Sequence, residues 1–208
     1  MAQEYHLASE EDIPKIGKIY MFYFSHQLDD LLPQKNKFNF LKDYLFLRFL
    51  LHRDCFWVAY ESGEIVGYII APIPQRFNPI MLIYGFFKIL CHLIQGKYGF
   101  PQNLIKCFLR TGFSFYRSPS ARKLTCFPHI YSIAVIKNKQ GKGTGTKLMH
   151  LALSQHAEKG YRVSWLTVHS QNKKAIQFYR NLGYKTIKQE KNGDMIMMKI
   201  LGKGDINE

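Results

Sequence analysis

Hydrophobic and polar positions along the 208-residue chain switch repeatedly between a period of two and a period near 3.6. Tyr5 to Ala8 reads as a short strand. Ser9-Glu10-Glu11-Asp12 resembles a capping box, a hydroxyl followed three residues later by an acid, with Pro14 in the first turn. The helix it opens carries Ile13, Ile16, Ile19 or Tyr20 and Tyr23 at helical spacing and runs to about His26. After the break at Leu31-Leu32-Pro33, a second helix is predicted from Phe38 to Leu51. Phe56 to Tyr60 and Ile65 to Ile70 are aromatic and β-branched runs around a Gly-containing turn, which predicts a hairpin. The second half reads as a strand (Ile130 to Val135), a helix (Thr144 to Lys159) closed by Gly160, and a strand (Val163 to Val168). A helix from Asn172 to Leu182 follows, with Gly183 at its C′ position. Tyr184 to Glu190 and Met195 to Ile200 flank Asn192-Gly193, a strong hairpin signal.

The stretch from about Pro72 to Pro128 interrupts this order. Two helix-like runs, Ile80 to Ile94 and Gln102 to Phe113, are separated by Gly96, Gly99 and Pro101. The stretch carries eight Lys or Arg and no acid. We read it as an insertion, at about 72–128, in a single domain spanning 1–208. The run Ile80 to Ile94 contains Lys88 and His92 and is shorter than the ~20 residues of a membrane-spanning helix.

Charge sharpens the picture. The formal balance is +14, and between Glu64 and Glu158 there is no Asp or Glu, where the chain's own frequency of 15 in 208 would give about seven. Such a chain attracts anions: phosphorylated ligands, nucleic acid or an acidic membrane. Cys55, Cys91, Cys107 and Cys126 form no Cys-x-x-Cys pair, so neither a disulfide framework nor a zinc site is expected. Reduced thiols, and a start that lacks the charge and apolar pattern of a signal peptide, point to the cytoplasm.

The sharpest chemical signal is Gln140-Gly141-Lys142-Gly143-Thr144-Gly145, set between a strand and a helix. Glycines there let the backbone adopt positive φ and approach an anion closely. The unbonded N–H groups of the helix start, with the helix dipole, then face the phosphates. Lys142 and Lys147 add charge. A P-loop would need Gly-x-x-x-x-Gly-Lys-[Ser/Thr], and a dinucleotide loop Gly-x-Gly-x-x-Gly with an acid about twenty residues on; neither fits.

The run Val135-Ile136-Lys137-Asn138-Lys139-Gln140-Gly141-Lys142-Gly143-Thr144-Gly145 resembles the coenzyme-binding signature of the GNAT superfamily of N-acetyltransferases. A second block, Asn172, Ala175, Phe178-Tyr179 and Leu182-Gly183-Tyr184, resembles that family's conserved helix and turn. The resemblance covers about 3–71 and 129–200. It implies an α/β fold of the α+β kind: a mixed, mostly antiparallel twisted sheet flanked by helices, with the insertion between the third and fourth strands.

The family resemblance also implies an acetyl-coenzyme A-dependent N-acetyltransferase that uses no metal. The coenzyme's pantetheine arm would lie between two splayed strands along Ile133, Ala134 and Val135. Gln140 to Thr146 would hold the pyrophosphate, and Asn172, Ala175 and Phe178 would complete the site. A primary amine would attack the thioester directly in a ternary complex, a backbone N–H near Val135 would stabilise the oxyanion, and Tyr179 would protonate the leaving thiolate. The strand leading to Val135 lacks the carboxylate that relatives often place there. His129, Asp29 with Asp30, or a water relay are the alternatives for the base. The acceptor is expected to be a small anionic amine or amino sugar; a protein N-terminus or lysine is the alternative, as is a coenzyme-binding module without turnover. The insertion reads as an extra helical layer, a lid, a homodimer interface or a seat on an anionic membrane, with Lys88, Lys97, Lys106 and Arg110 near the headgroups. Nucleic acid is ranked below these because the aromatic residues sit in apolar helical runs.

Overall fold

The computed structural model describes residues 3–25, 36–74, 78–98, 124, 126–190 and 193–202. The predicted run Gln102 to Phe113 and the residues Asp29, Asp30, Lys106, Arg110 and Asn192 lie outside that set. The order of elements is β1 (Glu4–Leu7), α1 (Ile13–Phe24), α2 (Lys37–Leu51), β2 (Phe56–Glu61), β3 (Glu64–Ile70), α3 (Pro79–Ile94), β4 (His129–Ile130) and β5 (Ser132–Val135). Then follow α4 (Thr144–Glu158), β6 (Val163–His169), α5 (Lys173–Asn181), β7 (Lys185–Gln189) and β8 (Asp194–Ile200). This is a mixed α/β architecture with antiparallel sheets flanked by helices, as the sequence suggests.

Contacts divide the chain into two compact units. The sheet unit comprises Met1–His6, Cys55–Pro74 and Leu124–Glu208. Its strands form two four-stranded sheets, β1-β2-β3-β5 and β4-β6-β8-β7. The hairpin between β2 and β3 turns at Ser62 and Gly63, whose φ angles of 55° and 79° are the paired positive values of a primed turn. The core gathers Val66, Ile69, Leu148, Met149, Leu166 and Met197, where the faces of β3, β6 and β8 meet α4.

Where one strand was expected from Ile130 to Val135, two segments form, broken at Tyr131. The cause is divided allegiance. His129 and Ile130 pair in parallel with Trp165 and Leu166 of β6, whereas Ser132 to Val135 pair antiparallel with Ile70 to Gly67 of β3. The chain follows one sheet and then the other.

A buried polar thread crosses the same core. His156 and Ser164 are fully buried. His156 Nε2 lies 3.1 Å from the Ala71 carbonyl, which only accepts, so Nε2 carries the proton. Nδ1 then accepts from Ser164 Oγ at 3.2 Å, and Ser164 Oγ accepts from the Tyr184 hydroxyl at 3.0 Å. Burial lowers the His156 pKa to about 4, and the Ala71 hydrogen bond opposes that only in part.

The helical unit comprises Leu7–Asp54 and Gln75–Lys123. Ser9 N–H donates to Asp12 Oδ2 at 2.9 Å, realising the acid half of the capping box ahead of α1. α2 packs against both α1 and α3. At Gly85 of α3 an added Cβ would stand 2.4 Å from Leu47 Cδ1, so the missing side chain sets how closely α3 approaches α2. Asp43 of α2, 2% exposed, accepts from His92 Nδ1 and from the Tyr98 hydroxyl, both at 2.6 Å. Tyr98 is driven to a higher pKa, first by burial and then by that carboxylate. Lys88 turns its ammonium over the Phe46 ring, 3.7 Å from the centroid.

Candidate active site

Three local structures of the sheet unit converge on one gap. The first is the strand break. Ile136 N–H donates to Val66 O at 2.9 Å, so in this antiparallel register the even-numbered residues of β5 exchange bonds with β3. Ile133 and Val135 therefore turn their backbone groups the other way, toward the side of β6. There the parallel pairing has already ended at Leu166, and the next residues, Thr167 to His169, are bonded only to β8 within the sheet pairing. The two strands part where the sequence expects an extended ligand to lie. Gly67 makes this approach possible from behind, since an added Cβ would stand 3.1 Å from Val135 Cγ2 and 3.2 Å from the Ala134 carbonyl.

The second structure is the cradle. Gly141 and Gly143 have φ of 76° and 84°, and nothing lies within 4 Å of where a Cβ would stand on either. These glycines serve backbone conformation, leaving the space above open. Gly145 differs: it is helical, and an added Cβ would make an ordinary contact with Phe178 Cζ at 3.5 Å. Gly143 caps α4, and the first helical bond is Lys147 N–H to Gly143 O at 2.9 Å. The amides of Thr144, Gly145 and Thr146 precede that bond, as the orphan donors of a helix start do. Gln140 donates from Nε2 to the Val135 carbonyl at 2.8 Å, pinning cradle to strand. Buried Thr144 donates from Oγ1 to Gln3 Oε1 at 2.9 Å, which also accepts from Tyr5 at 2.6 Å. The charge here is smaller than the lysine count suggests. Lys139 is held in an ion pair by Glu61, whose carboxyl that bond pulls to a lower pKa. Lys142, Thr146 and Lys147 are exposed.

The third structure is α5. Asn172 is its N-cap, accepting Ala175 N–H at Oδ1, 3.1 Å away. Its carbonyl oxygen is thus committed to the helix, and its NH₂ is the group it can offer a ligand. At the other end Gly183 has φ of 87°, and its N–H donates to Arg180 O at 2.9 Å while Tyr184 N–H donates to Tyr179 O at 3.0 Å. This is a Schellman closure, and it brings the Tyr184 ring to 6.0 Å from Tyr179. Tyr179 is buried in the cluster that contains Val135, Val168 and Ile176. Burial alone raises its phenol to about 12.

Of the sequence-predicted residues, Ala134 and Val135 are buried in β5 and Ile133 is half-buried beside them. Phe178 packs beneath the cradle at Gly145. His129 lies where the two sheets are still joined, its ring stacked on Trp165 at 5.1 Å. Sequence reasoning missed Gly67, Gln3 and Glu61; only Gly67, a glycine inside a strand pattern, carried a signal of close approach. The arrangement fits a long, anion-headed ligand: an open backbone edge for its arm, a helix start for its phosphates. Among the described residues no cluster of His, Cys, Asp or Glu could hold a metal.

Residues 112–184 match the model of the acetyltransferase (GNAT) family, a span that contains the split strand, the cradle and α5. Solved structures with the same fold include an N-acetyltransferase from Staphylococcus aureus, 15% identical with a TM-score of 0.59, covering 97% of this chain and 100% of that one. The PaiA N-acetyltransferase of Thermoplasma acidophilum, solved in complex with coenzyme A, is 14% identical with a TM-score of 0.57, covering 96% and 99%. A histone acetyltransferase HPA2 and related acetyltransferase from Corynebacterium glutamicum is 20% identical with a TM-score of 0.58, covering 97% and 98%. No curated protein matches by sequence. Over residues 112–184 the chain is thus similar to the acetyltransferase (GNAT) family, whose members use acetyl-coenzyme A as co-substrate.

Proposed function

We propose that the chain acetylates a primary amine by direct attack on the thioester, in a ternary complex assembled along the open edge of β5. The observation that carries this is the backbone of Ile133 and Val135, directed toward the side of β6 where its pairing with β4 has ended, with the cradle at its far end. The arm of acetyl-coenzyme A takes the place of a missing strand partner. Ile133, Ala134 and Val135 line it, Gln140 to Thr146 hold the pyrophosphate, and Asn172 offers its NH₂ from the α5 side, with Ala175 and Phe178 supporting.

The amine nitrogen forms a bond to the thioester carbon, and the carbonyl oxygen takes up negative charge beside the backbone N–H near Val135. The C–S bond then breaks and the sulfur leaves as a thiolate. Tyr179 is the proton donor to it. With its phenol near 12, Tyr179 remains protonated at every working pH. An ordinary thiol lies near ~8.5, so full transfer is uphill until the thiolate is itself buried, which raises its pKa too. The main contribution is therefore a hydrogen bond that strengthens as charge develops on sulfur. The acceptor's proton goes to His129 through water, since His129 lies on β4, before the break at Tyr131, and Ile133 on β5 after it.

The acceptor we favour is a small anionic amine or amino sugar, because the chain is strongly basic and lacks acids from residue 65 to residue 157. Acetylation of protein amines is the alternative, in keeping with the histone acetyltransferase among the similar folds. The test is a screen for free-thiol release from acetyl-coenzyme A with nucleotide-linked amino sugars, polyamines, and peptides bearing free N-termini or lysines. Release that depends on one class identifies the acceptor. Coenzyme binding with no acceptor-dependent release in any class would replace turnover with a binding role.

A further inference from the structure

Helix α3 buries Gly85 and Ile89 and leaves most of its other apolar side chains outside. Its polar groups face inward: Lys88 lies over Phe46, and His92 donates to the buried carboxylate of Asp43. Its small residue, Gly85, also faces inward against Leu47. Outward stand Ile80, Ile83, Tyr84, Phe87, Leu90 and Ile94, between 42% and 78% exposed. At about 100° per residue these positions, with Leu82, sweep a sector of roughly 200° that no charged side chain interrupts. A single surface helix normally shows the reverse, with a stripe of roughly 100° turned inward.

We propose that this face of α3 seats the helical unit in the surface of an anionic lipid bilayer. Two observations choose a bilayer over a protein partner. The first is width: a partner helix covers a stripe, whereas a sector of this breadth is covered by a continuous apolar medium. The second is charge. From Pro72 to Pro128 the chain has eight cations and no acid, and Lys97, just beyond the end of α3, is exposed. Apolar side chains supply insertion, and the positive charge of the segment, counted along the sequence, supplies attraction to anionic headgroups. The helix lies on the surface and does not cross it, for no described helix is long and apolar enough to span a membrane. An acetyltransferase held this way would have its acceptors delivered by the membrane surface.

The full chain is to be sedimented with vesicles of phosphatidylcholine alone and of phosphatidylcholine mixed with phosphatidylglycerol. Wild type should pellet with the mixed vesicles and remain soluble with the neutral ones, releasing in part as salt rises. The double substitution Ile83→Glu with Phe87→Glu, at side chains 68% and 63% exposed, should weaken partitioning about tenfold or more. Its melting-temperature rise with acetyl-coenzyme A should stay at the wild-type value, which separates this proposal from the coenzyme site. Lys97→Glu should weaken binding at low salt alone. Wild type that stays in the supernatant with both vesicles, that pellets equally with both, or whose double variant pellets unchanged, overturns the proposal. If wild type ignores vesicles and its solution mass is a dimer that the double variant splits, a second copy covers α3 instead.

Discussion

The two units differ in what they leave outside. In the sheet unit the large apolar residues of α4, Leu148 and Met149, are fully buried, and the open surface is backbone: glycines, helix-start amides and a strand edge. In the helical unit the covered side of α3 holds Lys88 and His92 beside Gly85 and Ile89, while Ile80, Ile83, Phe86, Phe87 and Ile94 stand outside. The first pattern suits water and a polar ligand. The second suits a surrounding that is not water. What an element buries tells which medium each of its faces was selected for.

The contrast can be broken first at Tyr179. If the sheet unit holds all the chemistry, Tyr179→Phe should lower turnover by about 10²–10⁴ with coenzyme affinity unchanged. Steady-state rates at saturating substrates, in a chemistry-limited assay, decide this; equal turnover removes Tyr179 from the mechanism. Wild-type rate should also show no alkaline loss from this phenol until the pH nears its value of about 12.

Histidine burial offers a second cut, since each unit hides one with its pKa lowered to about 4. In His156 the cause is burial; in His52 burial comes first and the Arg48 charge second. The sign follows from proton uptake. Below pH ~6.5 the unfolded chain protonates these two histidines while the native chain does not, so their contribution to stability is full above that value and falls toward pH 4. For His156 the loss is about 3 kcal/mol. Urea midpoints at pH 7.5 and 4.5 should differ less in His156→Gln than in wild type, with His52 supplying the remainder. An identical pH slope in the variant would show that the thread through Ser164 and Tyr184 is not what senses acid.

The third prediction concerns the cradle. Saturating acetyl-coenzyme A at a hundredfold excess over Kd should stabilise wild type by about 2.7 kcal/mol. Gly143→Asp replaces a φ of 84° and an open approach with a side chain and a negative charge, and should abolish that gain. A thermal shift equal to wild type would move the phosphate site elsewhere.

Most elements were legible in the sequence because their signals are local. Ser9 and Asp12 are three apart, Gly183 follows its helix directly, and Gly193, the second residue of the Asn-Gly pair, has a φ of 91°. The cradle was legible for the same reason. The break at Tyr131 was not, because nothing in His129 to Val135 interrupts a strand pattern; the break comes from a choice between two partners distant in sequence. The thread from His156 to Tyr184 was hidden likewise, being made of residues from α4, β6 and the turn after α5. Asn172 was read as a ligand-holding residue, yet its position ahead of a helical run was itself an N-cap signal. The inward turn of Lys88 was illegible because a lysine at one helical position says nothing of what stands opposite.

The excursion from β3 to β4 leaves and re-enters the sheet through neighbouring backbone, for His129 N–H donates to Pro72 O at 3.1 Å. Its two ends are therefore held together by the sheet itself, whatever lies between them. Lengthening a chain already closed at its ends costs little, about 0.6 kcal/mol for each doubling of a flexible loop. The sheet unit thus presents a port at which segments can be exchanged in evolution without stretching the catalytic framework. A relative with a short turn there and one with a long helical excursion could share the same cradle, and differ in where each enzyme works.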